Sequence, residues 1–281
     1  MSQRPKTNDQ RPKTNNQQPK TNPRPKKKLG QNFLQDPAVL QKICQTAELK
    51  ARDQVFEIGA GTGNLTELLA QQTQQVWAIE YDAEIFPLLK KRLSAHKNII
   101  LLQGDARQAT APTANFKLVA NLPYYLTSPL LRRFLVENQV LPKLVTLLIQ
   151  KEVAQKICAP RISPLSLAVQ LYGQAEISGI VRPESFWPRP KVQSAILKIT
   201  PHAEPQLPRA LWPKFFQLIC AGFRAPRKKI FSSLAAGLKL PKPLIQAMLE
   251  TLKINPDLRP ADLTFPDWKK ILHYLAQQKK T

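Results

Sequence analysis

Residues 55–63 read VFEIGAGTG, and this stretch decides the fold. A short strand pattern through Ile58 stops at three spaced glycines, Gly59, Gly61 and Gly63, and Asn64-Leu65-Thr66 then opens a helical pattern. Glycines at such a point let the backbone turn tightly and let a ligand approach it. Strand, glycine turn and helix in that order form the opening unit of a doubly wound α/β sheet. The dinucleotide fingerprint G-x-G-x-x-G needs glycine where this chain has Asn64, which argues against a pyrophosphate cofactor.

Working outward, apolar runs at 54–58, 75–79, 98–102, 116–120 and 143–149 predict buried strands, with helices over 64–72, 84–94 and 128–137 between them. Strands alternating with helices imply a largely parallel sheet. Helices are expected near 151–158 and 164–172. Strands at 174–182 and 192–200 are expected to form an antiparallel pair at the far edge. Past HAEPQLP (202–208) the strand signal ends, and helical patterns follow near 209–223, 227–237, 241–252 and 265–278. The fold class is therefore α/β: a mostly parallel sheet with an antiparallel edge over residues 29–205, then a small all-helical domain over 206–281.

The chain of 281 residues carries 42 Lys and Arg against 19 Asp and Glu, a net +23. That excess points to a polyanionic partner, nucleic acid or an anionic membrane surface. No apolar run reaches the roughly 18 residues of a spanning helix, and the basic N-terminus lacks the apolar stretch of a signal peptide. A cytoplasmic protein is expected. Cys44, Cys158 and Cys220 are odd in number and far apart, which predicts reduced, buried thiols. His96, His202 and His273 show no metal-ligand spacing, so no metal is expected.

Residues 1–28 contain a repeat: QRPKTN at 3–8 and 10–15, and QQPKTN at 17–22. Each unit carries a proline and lacks an apolar seam, which excludes a coiled coil. Nine basic residues against the single acid Asp9 predict a disordered tail, either solubilising or a flexible arm that strengthens RNA binding by counterion release.

Two acids follow the glycine turn. Glu80 ends the second strand, where a carboxylate can accept from both ribose hydroxyls of a nucleoside cofactor. Asp105 follows the third strand in QGDA, where it can accept from an adenine amine. Ligands of this architecture bind at the C-terminal ends of the strands.

The fourth strand ends in LVANLPYYL (118–126), without a carboxylate, His, Cys or Lys. These letters suit a strand-ending turn with a packed tyrosine. They also suit methylation of an exocyclic adenine amine, whose lone pair is delocalised into the ring. Two acceptors, the Asn121 side-chain oxygen and the Leu122 carbonyl, would hold the amine hydrogens out of plane and turn the lone pair toward a sulfonium methyl. Pro123 would fix the turn through its locked φ, and Tyr124 would stack on the base, worth about 1–3 kcal/mol. Positioning and desolvation would then carry the catalysis.

Together these residues resemble the ribosomal RNA adenine N6,N6-dimethyltransferase family, related to the Erm-type enzymes. LGQNFLQD (29–36), FEIGAGTGNLTELLA (56–70), AIEYD (78–82), GDA (104–106) and NLPYYLTSPLL (121–131) stand in the family's order. LLIQKEVAQKI (147–157), SFWPRPKVQSAILKI (185–199) and GFRAPRKKIFSSL (222–234) resemble its downstream segments. The resemblance implies a Rossmann-like domain that uses S-adenosylmethionine, held by Asn32, Leu34, Gly59, Gly61, Glu80, Asp105 and Asn121. It implies that Phe186 covers the target adenine opposite Tyr124, and a buried core phenylalanine is the plainer alternative there. It further implies RNA contacts from Arg189, Lys191, Arg224, Arg227, Lys228 and Lys229. The implied reaction is dimethylation of two adjacent adenosines near the 3′ end of small-subunit (16S) ribosomal RNA, by a monomer with the small subunit as partner.

The sequence departs from the family pattern in two places. APRISPLSLAV (159–169) lacks an expected Tyr-Gly step, and Ala225-Pro226 interrupts a run of basic residues. An Erm-type enzyme acting on large-subunit (23S) RNA and a non-catalytic RNA-binding assembly factor are the alternatives. A DNA adenine methyltransferase would carry a Pro-Pro-aromatic step where this chain has Leu122-Pro123.

Overall fold

A computed structural model describes residues 23–111 and 113–278; the repeats at 1–22 lie outside the described residues, as does the disordered tail expected there. Ahead of the glycine turn lie β1 (Phe33–Leu34) and α1 (Pro37–Thr46). The alternating unit runs β2 (Gln54–Ile58), α2 (Asn64–Gln72), β3 (Gln75–Glu80), α3 (Phe86–Arg92), β4 (Ile99–Gln103), β5 (Lys117–Asn121), α4 (Thr127–Arg132) and β6 (Val145–Gln150). Next come α5 (Lys151–Cys158), α6 (Pro164–Tyr172), β7 (Gly173–Val181), β8 (Phe186–Trp187) and β9 (Ser194–Pro201). The C-terminal part is helical: α7 (Trp212–Gly222), α8 (Ile230–Leu238), α9 (Lys242–Thr251) and α10 (Phe265–Gln278).

The main sheet has seven strands in the order β4-β3-β2-β5-β6-β9-β7. The first five are parallel, and β9 pairs antiparallel with both β6 and β7. The antiparallel edge is where the sequence places it, although β9 inserts between β6 and β7. Central strands bury both faces, which accounts for their continuous apolar runs. The expectation of a buried strand at 98–102 is corrected: β4 is the open edge of the sheet, and Ile100 and Leu102 are exposed.

Three further corrections concern local structure. Residues 23–28 do not continue a disordered tail: Lys27–Leu29 form a 3-10 turn, and Lys26 pairs with Asp82. Sequence patterning did not predict α1, yet its start carries strong signals, with Asp36 as N-cap accepting from Ala38 N and Val39 N and Pro37 at the first position. Of the three free cysteines only Cys44 is buried, and Cys158 and Cys220 are exposed.

The two regions share one core. A continuous apolar cluster includes Phe56, Leu118 and Leu131 of the α/β part together with Phe215, Ile230, Leu249 and Trp268 of the helical part. The seam is also polar: Arg209 Nη1 donates to Leu135 O at 3.3 Å, and its guanidinium lies 4.2 Å from the Trp212 ring centroid. Among the described residues no helix is long and apolar enough to cross a membrane.

Candidate active site

The C-terminal ends of β2, β3 and β5 open into a cavity of about 210 Å³. It is walled by the glycine turn, by the acids after the strands, by residues 121–126 and by a strap of residues 29–34. The proposed cofactor residues Asn32, Leu34, Gly59, Gly61, Glu80, Asp105 and Asn121 all line it, as do Leu122, Pro123, Tyr124 and Phe186. Tertiary structure thus brings together positions spread over more than half the chain.

The turn is built by left-handed backbone. Gly59 has φ +78° and Gly61 φ +55°, conformations that residues with a Cβ rarely adopt. A Cβ at Gly61 would lie 3.4 Å from the Phe33 ring, so the turn and the strap approach closely. Gly63 N-caps α2 without a side chain, which leaves backbone N–H groups facing the cavity end of the helix.

Glu80 is buried. Its Oε2 accepts from Gly61 N at 2.8 Å and its Oε1 from Asp82 N at 2.9 Å. Burial pushes its pKa up, and these two N–H donors oppose that shift. Asp105 accepts from Arg107 Nε at 3.0 and 2.9 Å, from Arg107 Nη2 at 2.5 Å and from the Arg107 backbone N–H at 2.9 Å. The guanidinium holds the Asp105 carboxyl below the usual carboxylate range, and an incoming amine must share or displace it.

Glu57 is a site residue that the sequence did not single out. It is 1% exposed, and burial pushes its pKa to about 7. Thr66 lies beside it, yet neither Glu57 Oε2 nor Thr66 Oγ1 has a hydrogen bond of ordinary geometry among the described residues. The signal in the sequence was an acid within an otherwise apolar strand, one residue before the glycines.

Asn121 ends β5. Its Nδ2 donates to Asn32 O at 3.4 Å, so the amide nitrogen faces the strap and the oxygen remains to accept. The Tyr124 hydroxyl pairs with Ser194 Oγ at 2.9 Å, which steadies the ring, and burial pushes the phenol pKa up. Phe186 is 6% exposed; it packs with Leu34 in a core cluster and also lines the cavity. Pairing of β1 with β8, Leu34 against Phe186, ties the strap to this ring.

The basic residues lie elsewhere. Arg189 and Lys191 are exposed beyond β8, and Arg189 pairs with Glu184. Arg224, Arg227, Lys228 and Lys229 are exposed between α7 and α8. Ala225-Pro226 begins a turn closed by Lys228 N to Ala225 O at 2.9 Å, so these cations fan around a turn instead of a helix face. Lys229 pairs with Asp257 at 2.8 Å. At the other departure, Ser163 and Ser166 form a reciprocal cap that starts α6.

A mostly parallel sheet with this strand order, a glycine turn after β2, an acid ending β3 and another after β4 define the Rossmann-like, S-adenosylmethionine-dependent methyltransferases. The cavity fits that molecule. Its ammonium, ribose hydroxyls and adenine amine are donors, and the cavity supplies three carboxyl groups on successive strands, one of them with an unpartnered buried oxygen. Residues 22–277 match the family model described as ribosomal RNA adenine dimethylase, and the chain belongs to that family. It is 38% identical over 254 residues to the ribosomal RNA small subunit methyltransferase A of Dehalococcoides mccartyi, covering 88% of this chain and 87% of that protein. Among solved structures, a dimethyladenosine transferase from Plasmodium falciparum superposes with a TM-score of 0.75 at 28% identity, covering 88% of this chain and 98% of that one. The 23S rRNA methyltransferase ErmE superposes with a TM-score of 0.68 at 29% identity, covering 88% and 100%.

Proposed function

We propose that this chain dimethylates N6 of two adjacent adenosines near the 3′ end of small-subunit ribosomal RNA, as a cytoplasmic monomer that needs no metal. The observation that carries it is the shared cavity: Asn121, Leu122 and Tyr124 stand beside Glu57, Glu80 and Asp105. When bound, S-adenosylmethionine supplies an electrophilic methyl on a sulfonium. Glu80 accepts from the ribose and Asp105 from the adenine amine. Asn121 Oδ1 and the Leu122 carbonyl hold the target amine's hydrogens, so its lone pair turns out of the base plane. Tyr124 and Phe186 hold the base, taken out of its stack at a cost of a few kcal/mol. The methylated, cationic amine is acidic and loses its proton without a dedicated base. The cations at Arg189, Lys191, Arg224, Arg227, Lys228 and Lys229 bind RNA phosphates.

Identity to a small-subunit enzyme over most of both chains favours this substrate over the large-subunit alternative. The test is mass analysis of nucleosides after incubation with unmethylated small subunits, compared with naked large-subunit RNA. Dimethyladenosine in the first alone is expected, and its absence there overturns the assignment. Asn121→Ala is expected to lower turnover by about 100-fold or more while calorimetry still detects cofactor binding. Full turnover in that variant would overturn the mechanism, and a non-catalytic assembly role would show as RNA binding without methylation.

A further inference from the structure

Asp82 is a buried carboxylate that methyl transfer does not use. Its side chain is 1% exposed, two residues beyond Glu80. It accepts from Lys26 Nζ at 2.7 Å, from Gln31 Nε2 at 2.8 Å and from Glu84 N at 3.0 Å. Its own N–H donates to Glu80 Oε1 at 2.9 Å. Gln31 bridges further, because its Oε1 accepts from Lys26 N at 2.7 Å. Lys26 also reaches Glu84 at 3.0 Å. One carboxylate therefore holds both ends of a small network: the start of the strap on one side, the ribose-facing acid on the other.

The strap is fastened at three further points. Asn121 Nδ2 donates to Asn32 O at 3.4 Å, Asn64 Nδ2 donates to Leu34 O at 2.9 Å, and β1 pairs with β8. Those anchors lie at and beyond Asn32. Before it, among the described residues, the side-chain hydrogen bonds and ion pairs to the body of the protein run through Asp82 and Glu84, while Gly30 approaches Pro123 and Tyr125. Burying a carboxylate is costly unless donors surround it. Here both side-chain donors, Lys26 and Gln31, come from a segment without regular structure beyond a single turn, so the carboxylate and the strap order each other.

We propose that Asp82, with Lys26 and Gln31, is a positioning latch for the cofactor: it clamps the strap over the cavity and at the same time orients Glu80. The proposal rests on Glu80 being the ribose acceptor. Lys26, Gln31 and Asp82 make no hydrogen bond to Asn121 among the described residues, so the latch is expected to act chiefly on cofactor affinity and little on the rate of the saturated enzyme. Lys26 lies near the end of the basic segment 1–28, beyond the last repeat at 17–22, so the latch connects the end of that segment to the cofactor cavity.

The experiment uses the full-length protein and S-adenosylhomocysteine as probe, with calorimetric titration in the absence of RNA. Asp82→Asn keeps shape but removes the charge, and it is expected to raise Kd about tenfold, which is 1.4 kcal/mol. Lys26→Met, at a partly exposed position, is expected to raise it about threefold, and Lys26→Arg to restore most of the affinity. The double variant is expected to bind no more weakly than Asp82→Asn alone, because both changes break one interaction. Turnover at saturating S-adenosylmethionine is expected to stay within about twofold of the parent, a split between KM and kcat that a general loss of stability would not produce. Glu80→Gln is the control for the site itself. If Glu80→Gln weakens binding while Asp82→Asn and Lys26→Met do not, the latch is overturned and the site assignment stands. If Glu80→Gln has no effect, the assignment of Glu80 fails and the latch fails with it. Full additivity of the Lys26 and Asp82 effects also overturns the latch.

Discussion

At Glu57 a buried carboxyl group beside the cavity has one oxygen unpartnered among the described residues. Its pKa rises from an ordinary 4.5 to about 7 because burial disfavours the charged form. The sign of the linkage follows. Below pH 4.5 both folded and unfolded states hold the proton, and its stabilising share is complete. As pH rises toward 7 the unfolded chain ionises first, so that share is lost, and above about 7 the loss is constant. Glu57→Gln carries no proton to lose. Without cofactor, the variant is therefore expected to gain on the parent between pH 4.5 and about 7, by up to roughly 3 kcal/mol. Urea unfolding across that range measures it, and parallel stability curves for the two proteins would refute it. Motif spacing made Glu80, Asp105 and Asn121 legible in the sequence, because each ends or follows a strand. The exceptional burial of Glu57 was not legible, since burial is set by tertiary neighbours such as Thr66 of α2.

At the scale of elements, helix contacts depend on small residues whose role no local pattern announces. Gly237 in α8 lies against the backbone of α7: a Cβ there would sit 2.1 Å from Ala221 O. Gly237→Ala must push the two helices apart and is expected to destabilise by about 1–3 kcal/mol. Gly104→Ala, whose Cβ would meet only Ile79 Cδ1 at 3.8 Å, serves as a control expected to change stability within about 0.5 kcal/mol. Denaturation midpoints report both; a Gly237→Ala effect no larger than that of Gly104→Ala, or a stabilisation as helix propensity alone would give, would overturn the close helix approach. Lys117 is a second hidden device. From the start of β5 its Nζ donates to Ala47 O at 3.0 Å and Glu48 O at 2.6 Å, placing a cation at the C-terminal end of α1 where the helix dipole favours one. In the sequence Lys117 is one polar letter in an apolar run. The strands and helices around it were readable because their periods of 2 and 3.6 are local properties of the chain.

Over the whole molecule, the helical part is not an independent body. Phe215, Ile219 and Trp268 belong to the same apolar cluster as Phe56, Phe134 and Leu167. Separating the two parts would expose that surface to water at about 25 cal/mol per Å² of apolar area. Scanning calorimetry is therefore expected to show one cooperative transition, with calorimetric and van't Hoff enthalpies equal. Two resolved transitions would show that the regions fold separately. The expected boundary at 205–206 falls between β9, which ends at Pro201, and α7, which begins at Trp212. It does not mark a break in the core, because composition along the chain records element type and not which faces meet.

The sequence by itself determined the doubly wound sheet, its antiparallel edge and the positions that converge at the strand ends, because periodicity, glycine turns and strand termini are written locally. Tertiary structure alone decided the rest: the exposed edge at β4, the buried carboxyl of Glu57, the shared core and the contacts that join Lys26 and Gln31 to Asp82. Each depends on which distant surface covers a residue. Burial, desolvation and long-range pairing have no counterpart in the spacing of letters.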